Sequence, residues 1–183
     1  RDIPVTFHPV PQLQPLADEV LCETETLNFN TLIPAVLNGV PGSGQWYTVG
    51  GNQQVSGTIT PNDGDTWYYV FSSNPGLCES RDTIQATVNE LPFVDVYDIV
   101  CDDASLTFDV LFTSNADVIL TNSGTLVNTP ATDSFSLNNI PFDTNIDFDL
   151  EILATGCTAT YSQVAPNCSC PNLLDQTTLR ACD

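Results

Sequence analysis

The chain has 183 residues, with 23 acidic side chains against three basic ones and a formal net charge of -20. It has no lysine, no methionine and one histidine, His8. That excludes Schiff-base and P-loop lysine chemistry, a Lys–Asn cross-link, and any metal site or triad built on two imidazoles. So negative a surface also repels phosphate backbones and anionic headgroups, which makes nucleic acid and the inner membrane surface poor partners.

At 42% apolar, with nine Phe, five Tyr and two Trp, the chain can build cores, and its length lies between one large domain and two small ones. Seven cysteines favour an oxidising, extracytoplasmic setting. No apolar run approaches the roughly 18 residues of a bilayer span, so direct membrane insertion is not expected. Arg1-Asp2-Ile3-Pro4 carries no signal pattern and no initiator Met, and the chain reads as a mature or internal piece of a longer protein.

Internal repetition organises the rest. Cys22 and Cys101 are 79 residues apart, and so are Cys78 and Cys157. Cys22-Glu-Thr-Glu-Thr-Leu27-Asn-Phe29 and Cys101-Asp-Asp-Ala-Ser-Leu106-Thr-Phe108 share a Cys-x4-Leu-x-Phe spacing, and Arg180-Ala-Cys182 opens a third copy. The expected organisation is residues 1–10 as the last strand of a preceding repeat, one repeat over 11–90, a second over 91–170, and the start of another over 171–183.

In chain order the first repeat predicts strands at Leu27 to Phe29, Trp46 to Val49, Thr58 to Thr60, Trp67 to Phe71 and Thr83 to Val88. They are separated by breaks at Pro41-Gly42, Gly50-Gly51 and Asn62-Asp63-Gly64. The second predicts Leu106 to Phe112, Asp117 to Leu120, Ser134 to Leu137, Ile146 to Leu153 and Thr158 to Val164. Phe148, Leu150 and Ile152 alternate with Asp147, Asp149 and Glu151, as in a strand with one wet face. Short strands at this density, with almost no helical period, predict an all-β chain of tandem immunoglobulin-like β-sandwich repeats of about 79 residues. Pro92 and Pro171 punctuate the junctions and stiffen them.

Asp65-Thr66 through Tyr69 to Gly76-Leu77-Cys78, Asp143-Thr144 through Phe148 to Gly156-Cys157-Thr-Ala-Thr160, and Cys168-Ser-Cys170-Pro171 carry a family likeness. The chain resembles the tandem Ig-like repeats of Bacteroidota cell-surface proteins exported by the type IX secretion system, gliding-motility adhesins among them. The resemblance implies a location and a building plan rather than a chemistry. The second repeat departs from the first by lacking an equivalent of Trp46.

The seven candidate disulfide cysteines are Cys22, Cys78, Cys101, Cys157, Cys168, Cys170 and Cys182. Cys22 precedes its strand, and Cys78 follows Tyr69 by nine residues, so in an up-down sandwich they belong to opposite ends, about 20 Å or more apart. A disulfide needs a Cα separation of about 4.4 to 6.8 Å. That favours staples between neighbouring repeats: Cys22 with Cys157, Cys78 with the repeat before, and Cys101 with the repeat after or with Cys168 or Cys170. The habit of small secreted domains favours the other scheme, Cys22 with Cys78 and Cys101 with Cys157, and both stay open. Zinc at Cys168, Cys170 and Cys182 would lack a histidine nearby.

The remaining candidates each have a plain structural reading that we prefer. Asp63 and Asp65, and the junction acids Glu90, Asp95, Asp98, Asp102 and Asp103, could ligate calcium. A turn and a solvated acidic face are the preferred reading of them, and no other cofactor is expected. Asp147, Asp149 and Glu151 are the wet side of a strand rather than catalytic carboxylates. Trp46 and Tyr69 read as core, with Tyr47 and Tyr68 the exposed residues able to stack a sugar. Asp82-Thr83-Ile84 resembles an Asp-Thr-aliphatic O-glycosylation site of surface proteins in the same phylum.

The function expected is a structural and adhesive segment of an extracellular, cell-surface filament or stalk, not an enzyme. Neighbouring repeats of the same chain would be its partners, with lateral association into a fibre and surface glycans as further ones. The alternative is spacer or carbohydrate-binding modules appended to a secreted enzyme.

Overall fold

The computed structural model describes residues 3–74, 78–129 and 134–168. Cys170, Cys182, Pro171 and the expected start of a following repeat lie outside them. The chain is all-β and divides into two compact units, Arg1–Glu90 and Leu91–Asp183.

Unit 1 contains β1 (Glu19–Cys22), β2 (Leu27–Asn28), β3 (Gly42–Thr48), β4 (Gln54–Val55), β5 (Thr58–Ile59), β6 (Thr66–Ser73) and β7 (Glu79–Asn89). One sheet runs in the order β1-β7-β6-β3-β4 and faces the pair β2-β5. Period-two patterning is clearest in β6. There Trp67, Tyr69, Phe71 and Ser73 are buried, while Tyr68 and Val70 face outward, half-buried. The inward aromatics close on Phe29, whose ring centroid lies 5.3 Å from that of Trp46 and 5.2 Å from that of Trp67, with Trp46 and Tyr69 5.4 Å apart. Trp46 satisfies its indole by donating to the Leu32 carbonyl at 2.6 Å. The rings fit under β3 because Gly42 and Gly44 lie over Phe71 and Tyr69, where a Cβ would collide with both rings.

Unit 2 contains β8 (Val94–Asp102), β9 (Thr107–Ser114), β10 (Val118–Thr121), β11 (Thr125–Thr129), β12 (Ser134–Pro141), β13 (Ile146–Ile152) and β14 (Cys157–Gln163). Its sheets are β11-β12-β9-β8 and β10-β13-β14. This four-plus-three division is that of a constant-type immunoglobulin sandwich. Phe108, Val110 and Phe112 of β9 pack against Leu137 and Ile140 of β12 and Ile146, Phe148 and Leu150 of β13. With no tryptophan available, Phe112 fills the centre, 5.2 Å from Phe148 and 5.5 Å from Phe135.

The two units treat their first strand differently. In unit 1, β1 runs parallel to β7, with Glu19 opposite Ala86 and Cys22 opposite Asn89. In unit 2, β8 pairs with β9 from Val94 opposite Ser114 to Asp102 opposite Thr107, across a register shift between Val96 and Asp98. Pro9, Pro11 and Pro15 explain the difference, because residues without an N–H cannot sustain a ladder over the earlier segment of unit 1. That segment makes only an isolated bridge, Leu13 to Val36.

The expected equivalence of Leu27 and Leu106 does not hold. Leu27 is buried, whereas Leu106 is exposed with a φ of 56°. In unit 2 the turn before β9 is wound around Asp102, which accepts from Ala104 N at 2.9 Å and from the Ser105 hydroxyl at 2.7 Å, and this rotates Leu106 out to solvent. Phe29 and Phe108, two residues on, do match as buried core. Residues 3–10, expected to finish a preceding sandwich, form no strand.

Candidate functional site

The cysteines are positioned by strand ends. Cys22 closes β1 beside Asn89, the last residue of β7, and Glu23 N donates to the Asn89 carbonyl at 2.9 Å. Cys22 therefore sits at the end where the chain leaves unit 1. Cys78 lies just before β7, at the opposite end, with its Sγ 3.8 Å from the His8 carbonyl oxygen where the chain enters. An extended strand rises about 3.3 Å per residue, so the eleven residues of β7 hold Cys22 and Cys78 roughly 30 Å apart. The pairing of Cys22 with Cys78 within one repeat is ruled out by that span.

In unit 2, Cys157 opens β14 opposite Ile152. The Phe93–Val94 segment, where the chain enters, is at the same end: Ser114 donates to Phe93 O at 2.6 Å, and Asp117 N donates to Glu151 O at 2.9 Å. Cys101 lies opposite Phe108 at the other end and is bonded to Cys168 with a Cα separation of 5.7 Å. The expected pairing of Cys101 with Cys157 is therefore wrong. Seven residues of β14 stand between the two ends of the sandwich, and Cys168, following that strand, is the cysteine within reach. Cys22 and Cys157 each belong to a disulfide as well.

Four of the candidate calcium residues, Asp63, Asp65, Asp98 and Asp102, accept from backbone amides of their own unit. Asp63 accepts from Val88 N at 3.0 Å, and Asp65 accepts from Asn62 N at 2.8 Å, which clasps the turn before β6 onto β7. Asp98 accepts from Ile99 N. Asp102 is held below the usual carboxylate range, first by the Ser105 hydroxyl and then by the amides of Ala104 and Ser105. Asp95 lies opposite Thr113 on β8, and Asp103 is exposed in the following turn. Among the described residues no three His, Cys, Asp or Glu side chains converge as a metal cage.

Tyr47 and Tyr68 come together on the outer face of the unit 1 sheet, since β3 pairs with β6 with these two residues opposite each other. Their rings stack 5.5 Å apart at 19°. The Arg81 guanidinium lies 5.5 Å from the Tyr68 centroid, and the Tyr68 hydroxyl donates to Asn52 Oδ1 at 2.8 Å. Arg81 and Asn52 were not legible as parts of this patch, because only the β6–β7 register brings Arg81 across. Trp46 and Tyr69 are core. Burial raises the Tyr69 phenol above its ordinary pKa.

Thr83 is exposed on β7 opposite Tyr68, but its neighbour Asp82 is used structurally, accepting from Leu16 N at 2.8 Å. Asp147 accepts from the Ser162 hydroxyl at 2.6 Å and from Asn122 Nδ2 at 3.1 Å, so this wet carboxylate of β13 ties the strand to β14 and to the turn after β10. Two open depressions on unit 1, of about 210 and 510 Å³, are lined by neither histidine nor cysteine, and Asp65 is the one carboxylate among both sets of lining residues. No helix of the described residues is long and apolar enough to cross a membrane.

No family model matches the chain, and no curated protein does. Among solved structures it is similar to the titin domains Z1Z2 in complex with telethonin, at 12% identity over 88% of this chain and 98% of that one, with a TM-score of 0.37. A chimeric titin Z1Z2 carrying an exogenous peptide from decorin aligns at 11% identity over 83% of this chain and 93% of that one, with a TM-score of 0.32. The immunoglobulin-like assignment rests on the strand order and core above rather than on these superpositions.

Proposed function

We propose that the chain is a structural and adhesive segment of a long extracellular filament or stalk, in which Ig-like repeats are stapled to their neighbours by a disulfide between Cys22 and Cys157. The observation that carries the reading is the position of these cysteines in their own units. Each is disulfide-bonded, Cys22 at the end where the chain leaves unit 1 and Cys157 at the end where it enters unit 2.

Unit 1 supplies a template for the junction. Cys78 lies against the carbonyl of His8. Cys157 is the counterpart of Cys78 one period of 79 residues later, and Thr87 that of His8, so a repeat that followed unit 1 in the same way would carry its cysteine to the β7 end that also holds Cys22.

Such a staple suits a load-bearing string. Disulfides persist in oxidising compartments, in keeping with an extracytoplasmic location. A high negative charge keeps repeats soluble and apart from unrelated surfaces. The cell-surface setting and export route implied by the family resemblance fit this role, and no catalytic role is assigned. Tyr47 and Tyr68 support a second reading as a glycan-binding face, because a paired aromatic surface beside Arg81 and Asn52 offers both stacking and polar contacts.

The test is a disulfide map. Trypsin has Arg1, Arg81 and Arg180 to cut after, so the denatured, thiol-blocked chain yields 2–81 and 82–180. We expect these to stay joined until reductant is added, and further cleavage at acidic residues to release a Cys22 peptide bound to a Cys157 peptide. Two separate fragments before reduction would refute the staple.

A further inference from the structure

Ile3, Val5 and Phe7 are exposed to 82%, 71% and 90%, although they alternate with Pro4, Thr6 and His8 as an inward-facing strand set would. No hydrogen bond among the described residues involves positions 3 to 7, whereas anchoring to unit 1 starts just after them. The His8 carbonyl meets Cys78, the Val10 carbonyl accepts from Asn38 Nδ2 at 2.8 Å, and Gln12 N donates to Asn38 Oδ1 at 3.2 Å.

The repeat period says what such a segment is. In β7 the positions turned inward are Ser80, Asp82, Ile84, Ala86 and Val88. Seventy-nine residues earlier stand Arg1, Ile3, Val5, Phe7 and Pro9. The register taken from the cysteines thus lays all three exposed apolar side chains on the core-facing positions of a closing strand. A slip of one residue would turn Asp2, Pro4, Thr6 and His8 inward instead, so the hydrophobic pattern and the cysteine spacing select the same register independently.

We propose that residues 3–10 are the closing strand of a second Ig-like sandwich of this repeat type, placed N-terminal to unit 1. That sandwich offers the vacant last-strand position beside its own equivalent of β6, with an apolar slot for Ile3, Val5 and Phe7 between its sheets. The strand then runs into unit 1 within a few residues, with no flexible linker. The inference rests on the repeat-string reading for the identity of the partner and on the exposed pattern for the contact itself.

The experiment lengthens the full chain rather than cutting it. Residues 11–79 are placed directly before Arg1, so that residue 79 continues into Arg1 as it natively continues into Ser80. The added segment then has every strand of unit 1 except β7. Borrowing residues 3–10 should complete it, and amide exchange at Val5 and Phe7 should slow at least a hundredfold relative to the 183-residue chain.

Val5→Asp with Phe7→Asp should abolish that protection while leaving unit 1 and unit 2 folded. Unchanged exchange at Val5 and Phe7 overturns the proposal, and so does an added sandwich that folds equally well with both aspartates. The Cys22–Cys157 map is read on the original chain, so a failed complementation leaves the staple standing, and a missing staple leaves the strand assignment standing.

Discussion

Removing the Cys101–Cys168 bond tests whether unit 2 depends on covalent closure. The bond joins residues 67 apart, and loop-closure entropy for that span corresponds to about 4 kcal/mol at 25 °C. It ties the end of the first strand to the segment after the last one, so it encloses β9 to β14 and with them the whole core of Phe108, Phe112, Leu137 and Phe148. Cys101→Ala with Cys168→Ala removes the link and leaves neither thiol behind.

For a domain of this size the loss should lower the melting temperature of unit 2 by roughly 15–30 °C. Trp46 and Trp67 both lie in unit 1, so tryptophan fluorescence follows that unit, while far-UV circular dichroism reports both. The expected result is a dichroism transition that splits, with its new component well below the fluorescence midpoint. A change below about 1 kcal/mol would refute the closure argument and show that the core of unit 2 suffices alone.

Gly44→Ala should destabilise unit 1 by about 1–3 kcal/mol in urea denaturation followed by fluorescence, because the new Cβ collides with the Tyr69 ring. Asp102 has a folded pKa below its ordinary value. Its contribution is therefore present above the unfolded pKa near 4 and lost as pH falls through the lower folded value; Ser105→Ala should move its NMR titration midpoint upward. Tyr69 shifts the other way, so its contribution is full below pH of about 10 and lost as pH rises through the raised folded value. Tyr69→Phe should accordingly delay alkaline unfolding. If the proposed Cys22–Cys157 staple is present, the chain pulled from its ends should lengthen between Cys22 and Cys168 only through residues 157–168, about 40 Å, against roughly 500 Å after reduction. A single-molecule trace releasing the longer length under oxidising conditions would contradict the proposed staple.

Much of the strand content was legible because side-chain alternation is local. Trp67 to Phe71 and Ile146 to Leu153 announce themselves by period two and lie in β6 and β13. The short β4 and β1 were missed, and so was β11, since none of them shows the apolar alternation of Leu27-Asn-Phe29 or Thr58-Ile-Thr60 that marked the short β2 and β5. β8 was missed for a different reason. Val94, Val96 and Ile99 do alternate, but the register shift near Asp98 breaks the run. The sequence showed that Cys22 and Cys78 sit badly for one bond, because their offsets from Leu27 and Tyr69 assign them to opposite turns. It left Cys101 open among several partners, since Cys168 comes within reach only once β14 has returned the chain to that end.

The sequence by itself determined the repeat period, the alternation that makes each unit a sandwich, and the aromatic stock from which two different cores are built. These follow from covalent spacing and from which side chains leave water. Only the tertiary structure decided that β1 runs parallel to β7 while β8 lies along β9, that Leu106 turns outward where Leu27 turns in, and that Arg81 meets Tyr68. The strand pairings among these depend on which edge a strand finds after the chain has travelled up to some 70 residues. Such long-range pairing is chosen by the competition of whole sheets for hydrogen bonds and apolar contact, and no local window of residues contains it.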